Sequence, residues 1–180
     1  MYCNVLTIYI LDVTIYIVIY GGIDLDIFTV SFFGHRMLEN ALEVEKHLEV
    51  LLHDLITQHE YVEFLIGRDG EFDLLAASAI RRAVRQYGCG NTTLTLVLPY
   101  LRAEYRDNEQ NYLQYYDEVE ICTESAAAHY KSAIQIRNRC MVDRSDLVIF
   151  CVQRQSGGAY RTLQYARKTG KQYLSIADSI

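Results

Sequence analysis

Apolar and polar positions divide the chain into two unlike regions. From Phe28 onward, short apolar runs alternate with longer segments whose apolar residues recur at steps near three and four. Thr29–Phe33 reads as a buried strand ended by Gly34, and Leu38, Leu42, Leu48, Leu51, Leu52 and Leu55 follow as a helical stripe. Tyr61–Ile66 is a second strand, ended by Gly67. Phe72, Leu75, Ala79, Ala83 and Tyr87 make a second helical stripe, stopped by Gly88. Thr93–Leu98 is a third strand, ended by Pro99, and Glu118–Cys122 a short fourth. A helix is expected from Ala133 to Arg144, a strand over Leu147–Val152, a helix over Ala159–Thr169 and a last strand over Gln172–Ile176.

This alternation predicts an α/β chain: a Rossmann-like three-layer sandwich with a mostly parallel sheet of about five to six strands, covered by helices on both faces. Sheets of this kind hold ligands outside the carboxyl ends of their strands, so the informative loops are those that follow strands.

Residues 1–27 break the pattern. Val5–Tyr20 is packed with Ile, Val, Tyr and Thr, which favour strands. The run is short for a membrane span, is interrupted by Asp12, and has no basic residue before Arg36, so it fails as a secretory signal. One reading is an added strand or hairpin turning at Gly21-Gly22. The preferred reading is a start-site artefact, because a complete domain pattern begins only at Phe28; a membrane anchor is the weakest of the three. The domain division is therefore 1–27, an atypical extension, and 28–180, the Rossmann-like unit.

Composition narrows the function classes. The 180 residues carry a formal charge of −6 with no long basic run, which counts against nucleic acid as a partner. A small anion remains admissible, because a pocket needs only one or two arginines and free N–H groups at a helix start. Five cysteines (Cys3, Cys89, Cys122, Cys140 and Cys151) show no CxxC pairing and no histidine at ligand spacing, so neither a metal nor a disulfide is expected. Scattered reduced thiols fit a cytoplasmic protein. The histidines form no HExxH motif, and no GxSxG elbow or Walker A sequence occurs. Tyr112, Tyr115 and Tyr116 read as a packed surface loop, with a lid or a homo-oligomer contact as alternatives.

Three strand-end loops carry glycines. Gly34-His35-Arg36 precedes a helix, where a sharp turn, free N–H groups and Arg36 suit a phosphate. Gly67 to Asp73 (GRDGEFD) places Asp69 to cap the next helix, and either Asp69 or Asp73 to meet a ribose hydroxyl or base edge. The third stretch holds Gly157-Gly158 ahead of a helix, with Thr162 nearby. Ser132 and Gln135 have capping-box spacing. The helix they open would turn Arg137 inward, toward an anionic ligand or toward an internal carboxylate such as Asp143 or Asp146.

Five segments, taken together, resemble the SLOG superfamily of SMF/DprA and LOG proteins, and within it the YpsA-like branch of uncharacterised bacterial members. They are VSFFGHR (30–36), GRDGEFDLLAA (67–77), LVLPY (96–100), RNRCMVDRSDLVIF (137–150) and SGGAYRTLQYA (156–166). The resemblance implies a nucleotide or nucleotide-derived ligand at the strand ends. Arg137 falls where LOG phosphoribohydrolases carry the arginine of an Arg-Lys motif, with Asn138 in place of the lysine. Their PGGxGTxxE motif is matched only in part: the proline is absent, Thr162 is one residue late, and Gln164 stands near the expected glutamate. A glutamine cannot serve as a carboxylate acid or base.

The leading expectation is therefore a cytoplasmic domain that binds or senses a nucleotide-type small molecule, with no cofactor. Its cleft would be lined by Gly34, His35, Arg36, Gly67, Asp69, Asp73, Arg137, Asn138, Gly157, Gly158 and Thr162. A LOG-type nucleoside-monophosphate N-glycosidase is the alternative, with Asp69, Glu71 or Asp73 replacing the missing glutamate. DprA-like single-stranded DNA binding is the weaker alternative.

Overall fold

The computed structural model describes the backbone of residues 4–10 and 13–19, and residues 25–177 with their side chains. In chain order the elements are β1 (Asn4–Ile10), β2 (Val13–Ile19), β3 (Ile27–Gly34), α1 (Ala41–Gln58), β4 (Tyr61–Ile66), α2 (Glu71–Tyr87) and β5 (Thr92–Leu98). They continue with α3 (Ala103–Asp107), α4 (Glu109–Tyr115), β6 (Glu118–Ile121), α5 (Thr123–Ala126), α6 (Tyr130–Arg144), β7 (Leu147–Cys151), α7 (Gly157–Thr169) and β8 (Tyr173–Ser175).

β1 and β2 pair antiparallel with each other in a separate two-stranded sheet. The expected turn at Gly21-Gly22 lies outside the described residues. The other six strands form one all-parallel sheet in the order β6-β5-β4-β3-β7-β8. From β3 the chain steps outward through β4, β5 and β6, then returns to the far side of β3 with β7. The order reverses between β3 and β7, and a crevice opens at such a reversal.

Strand pleating sorts the core into two layers. Val30, Phe32, Phe64, Ile66, Leu96 and Ile149 pack with α1 and α2. Their neighbours in sequence, Phe33, Leu65, Val97, Val148 and Phe150, pack with α6 and α7. All five residues of β7 are buried, whereas β6 and β8 are short and partly exposed, as edge strands are. The expected three-layer α/β fold is the observed one.

Several local expectations need correction. Leu42 is exposed, because α1 begins only at Ala41 and buries the face carrying Val44, Leu48, Leu52, Leu55 and Ile56. Tyr112 and Tyr116 belong to no surface loop: Tyr112 lies on α4, Tyr116 ends it, and both rings join the α1/α2 layer of the core. α6 starts at Tyr130 rather than Ala133. Its cap is His129, whose Nδ1 accepts the Lys131 N–H at 3.3 Å, so Ser132 and Gln135 form no capping box.

Candidate ligand-binding site

A cleft of about 480 Å³ opens where β3 and β7 end, within the roughly 300–1,000 Å³ usual for small-molecule sites. Its walls come from the loops after β3, β4 and β7, the first half of α6 and the start of α7.

Two glycines are required by contact. At Gly34 a Cβ would collide with the Phe72 ring, so strand β3 and helix α2 meet there without a side chain between them. At Gly67 a Cβ would lie 2.6 Å from Arg137 Nη1 and 3.0 Å from Asp73 Oδ2, occupying the space those two side chains use. Gly157 has a φ of +86°, a left-handed conformation that suits glycine, and it opens α7. The first N–H groups of any helix lack intrahelical partners, and those of α7 begin at this wall.

Below the mouth lies a buried charge network. Arg137, 3 % exposed, donates Nη2 to Asp69 Oδ2 at 2.9 Å and Nη1 to the Val97 carbonyl at 2.9 Å. Asp69 Oδ1 also accepts from Arg102 Nη2 at 2.6 Å. Asp69 therefore does not cap α2. The carboxylate at the start of α2 is that of Asp73, whose Oδ2 accepts the Asp69 N–H at 2.8 Å. Burial pushes the Asp73 carboxyl up to about 6, with Arg137 acting in the opposite sense. Burial likewise draws Arg137 below its ordinary value, against the pull of Asp69 and Asp73. The partner of Arg137 is thus Asp69, not Asp143 or Asp146. Asp143 accepts from the Tyr165 hydroxyl, and Asp146 from the Thr29 N–H.

The mouth is cationic. Arg36, Lys131, Arg154 and Arg161 line it, and none has a carboxylate partner among the described residues. Arg154 Nη2 instead donates to the Met37 carbonyl, and Arg161 Nε to the Gly157 carbonyl. Lys131, Arg154 and Arg161 were not singled out in the sequence. Lys131 precedes the stretch expected to be helical, and Arg154 and Arg161 stand singly, in no basic run that would mark them.

Of the eleven residues expected to form the cleft, ten line it: Gly34, His35, Arg36, Gly67, Asp69, Asp73, Arg137, Asn138, Gly157 and Gly158. Thr162 stands behind the wall. It is 2 % exposed, donates to the Gly158 carbonyl at 3.0 Å and accepts from Asn138 Nδ2 at 3.1 Å. His35 Nε2 lies 3.1 Å from both the N–H and the carbonyl oxygen of Arg154, so the ring pins the loop after β7. Glu71 is turned aside to accept the Leu38 N–H, and exposed Gln164 lies off the lining. The acids in the wall are Asp69 and Asp73.

No family model matches the sequence, and no curated protein matches it. Solved structures do. DNA processing protein A (DprA) from Helicobacter pylori, whose structure was described for its single-stranded DNA binding mode, aligns with a TM-score of 0.57 at 19 % identity. DprA from Streptococcus pneumoniae aligns with a TM-score of 0.57 at 17 % identity. The two DprA structures share the fold of this chain. The alignments cover 82 % and 83 % of this chain but only 64 % and 50 % of the two DprA chains, so it spans roughly half to two thirds of their length. At these identities the likeness establishes the fold alone. No helix among the described residues is long and apolar enough to cross a membrane.

Proposed function

We propose that the chain binds a nucleotide or nucleotide-derived ligand through its phosphate, in the cleft between the ends of β3 and β7. The observation that carries this reading is the ring of Arg36, Lys131, Arg154 and Arg161 around the glycine-bearing start of α7, in a protein whose net charge is −6. Beneath that ring, Asp69 and Asp73 offer acceptors for ribose or base donors. Assignment to the YpsA-like branch and a cytoplasmic location belong to the same proposal; the order of the sequence motifs supports the first, and the free thiols Cys89, Cys122, Cys140 and Cys151 the second.

The test is thermal unfolding of the full chain against nucleoside monophosphates, NAD, ADP-ribose, cyclic nucleotides and inorganic phosphate. A ligand at 100 times its Kd adds about 2.7 kcal/mol. The expected result is a stabilisation by one nucleotide class that shrinks at least tenfold in affinity in R36A/R161A. Arg137 is the wrong residue to remove first, because truncating one side of a buried ion pair costs about 3–5 kcal/mol of stability by itself. No stabilisation by any of the panel, in a sample that unfolds cooperatively, overturns the reading. Release of free base from a monophosphate would instead identify an N-glycosidase, for which Asp69 and Asp73 are the carboxylates in the wall.

The likeness to DprA favours a second reading, single-stranded DNA, against the expectation drawn from the acidic balance. The same cationic mouth would then meet backbone phosphates. Binding of a labelled oligonucleotide that weakens steeply with salt supports it, and no binding at low salt retires it.

A further inference from the structure

Away from the cleft, the fold brings together three side chains that the sequence keeps apart. Cys122 follows β6, Glu124 lies on the short turn α5, and Cys140 sits on α6. The two sulfurs and a Glu124 carboxylate oxygen all lie within 4.8 Å of one another. We propose that Cys122, Glu124 and Cys140 form a three-donor site for a thiophilic divalent cation of the zinc class, with the fourth position open to water.

The site is built before any ion arrives. The Cys122 N–H donates to the Leu98 carbonyl at 2.9 Å, which fixes the end of β6 against β5. The buried Ser125 hydroxyl donates to the Pro99 carbonyl at 2.6 Å and to the Cys122 carbonyl at 3.1 Å, locking the turn that carries two of the donors. Cys122 Sγ already points at Glu124 Oε2, at 3.4 Å. The Thr123 hydroxyl donates to the same Glu124 oxygen at 3.0 Å, which steadies the carboxylate beside the two sulfurs.

The graded exposure suits an ion with a water ligand: Cys122 is buried, Cys140 half-buried and Glu124 exposed. Two sulfurs and one carboxylate select a soft or borderline metal over magnesium or calcium, which prefer oxygen. The cation enters with loss of the two thiol protons to solvent, and no change of oxidation state is involved. The proposal stands independently of what the cleft binds.

The experiment uses the full chain, reduced and stripped with a chelator, titrated with cobalt(II) as a coloured stand-in for zinc. One equivalent should produce thiolate-to-cobalt charge-transfer absorption, and zinc should displace it. C140S should abolish that absorption while keeping the far-ultraviolet circular dichroism of the parent. E124Q should weaken zinc binding at least tenfold in competition with a chromophoric chelator, and C89S should leave both readouts unchanged. Cobalt binding without the charge-transfer band, or a band that survives in C140S, overturns the assignment.

Discussion

Asp73 sits at the first turn of α2, where a carboxylate is at home, yet its carboxyl is raised to about 6 from an ordinary value of 3.8. The folded state therefore holds this proton more tightly than the unfolded chain does. Between pH 3.8 and 6 the unfolded chain binds fewer protons, so stability falls as pH rises and levels off above 6. Replacing Asp73 with Asn keeps an acceptor for the Asp69 N–H and removes the titration. Urea unfolding of both proteins from pH 4 to 7 should show D73N gaining about 1–3 kcal/mol on the parent across that window. Parallel profiles would mean that cleft water solvates the carboxylate. At this scale the sequence was legible where chemistry is local. Gly34 and Gly67 end their strands and line the cleft as expected, but what presses against Gly34 is the Phe72 ring, and against Gly67 the Arg137 and Asp73 side chains. The partner of Arg137 was not legible, because Asp69 lies 68 residues away and nothing in either neighbourhood announces the pairing.

Helices α6 and α7 meet through a buried polar latch rather than through apolar contact alone. Thr162 takes the Asn138 amide and passes its own proton to the Gly158 carbonyl at the start of α7. Thr162→Val keeps the shape and removes the hydroxyl, leaving the Asn138 amide unpartnered in a buried site. Denaturant unfolding should show a loss of about 1–3 kcal/mol, and Asn138→Leu made on top of it should recover part of that loss. Strictly additive losses would show that the two residues do not act as a pair. Element type came through from periodicity for the long helices and for all six parallel strands. Boundaries and short helices did not. α3 and α4 span five and seven residues, less than two turns each, so no stripe can repeat within them. Leu42 has the spacing of the expected stripe, but α1 turns the face of Val44, Leu48, Leu52, Leu55 and Ile56 inward, and Leu42 falls outside it.

The parallel sheet divides the molecule unequally. The layer formed with α1 and α2 gathers most of the large buried side chains, including Phe32, Phe64, Phe72 and three tyrosines. The layer formed with α6 and α7 is thinner and depends on Met141, Val142, Leu163 and Ala166 against the strands. Fold class was visible in the strand–helix alternation, whereas this inequality was not, since it depends on which face each helix covers. It has a consequence for motion. The thinner side holds less apolar surface, so it should detach at a lower free energy than global unfolding, as a cooperative unit of its own. In hydrogen–deuterium exchange, the amides of α6 and α7 should be labelled sooner than those of α1 and α2. The cleft is lined from α6 by Gln135 and Arg137, from α7 by Gly158 and Arg161, and from the thicker side by Asp73 of α2, so a ligand filling it would bridge the two sides. It would rivet the loose half to the firm one, so occupancy would be recorded as slowed exchange in two helices, most of whose length lies beyond the ligand's reach.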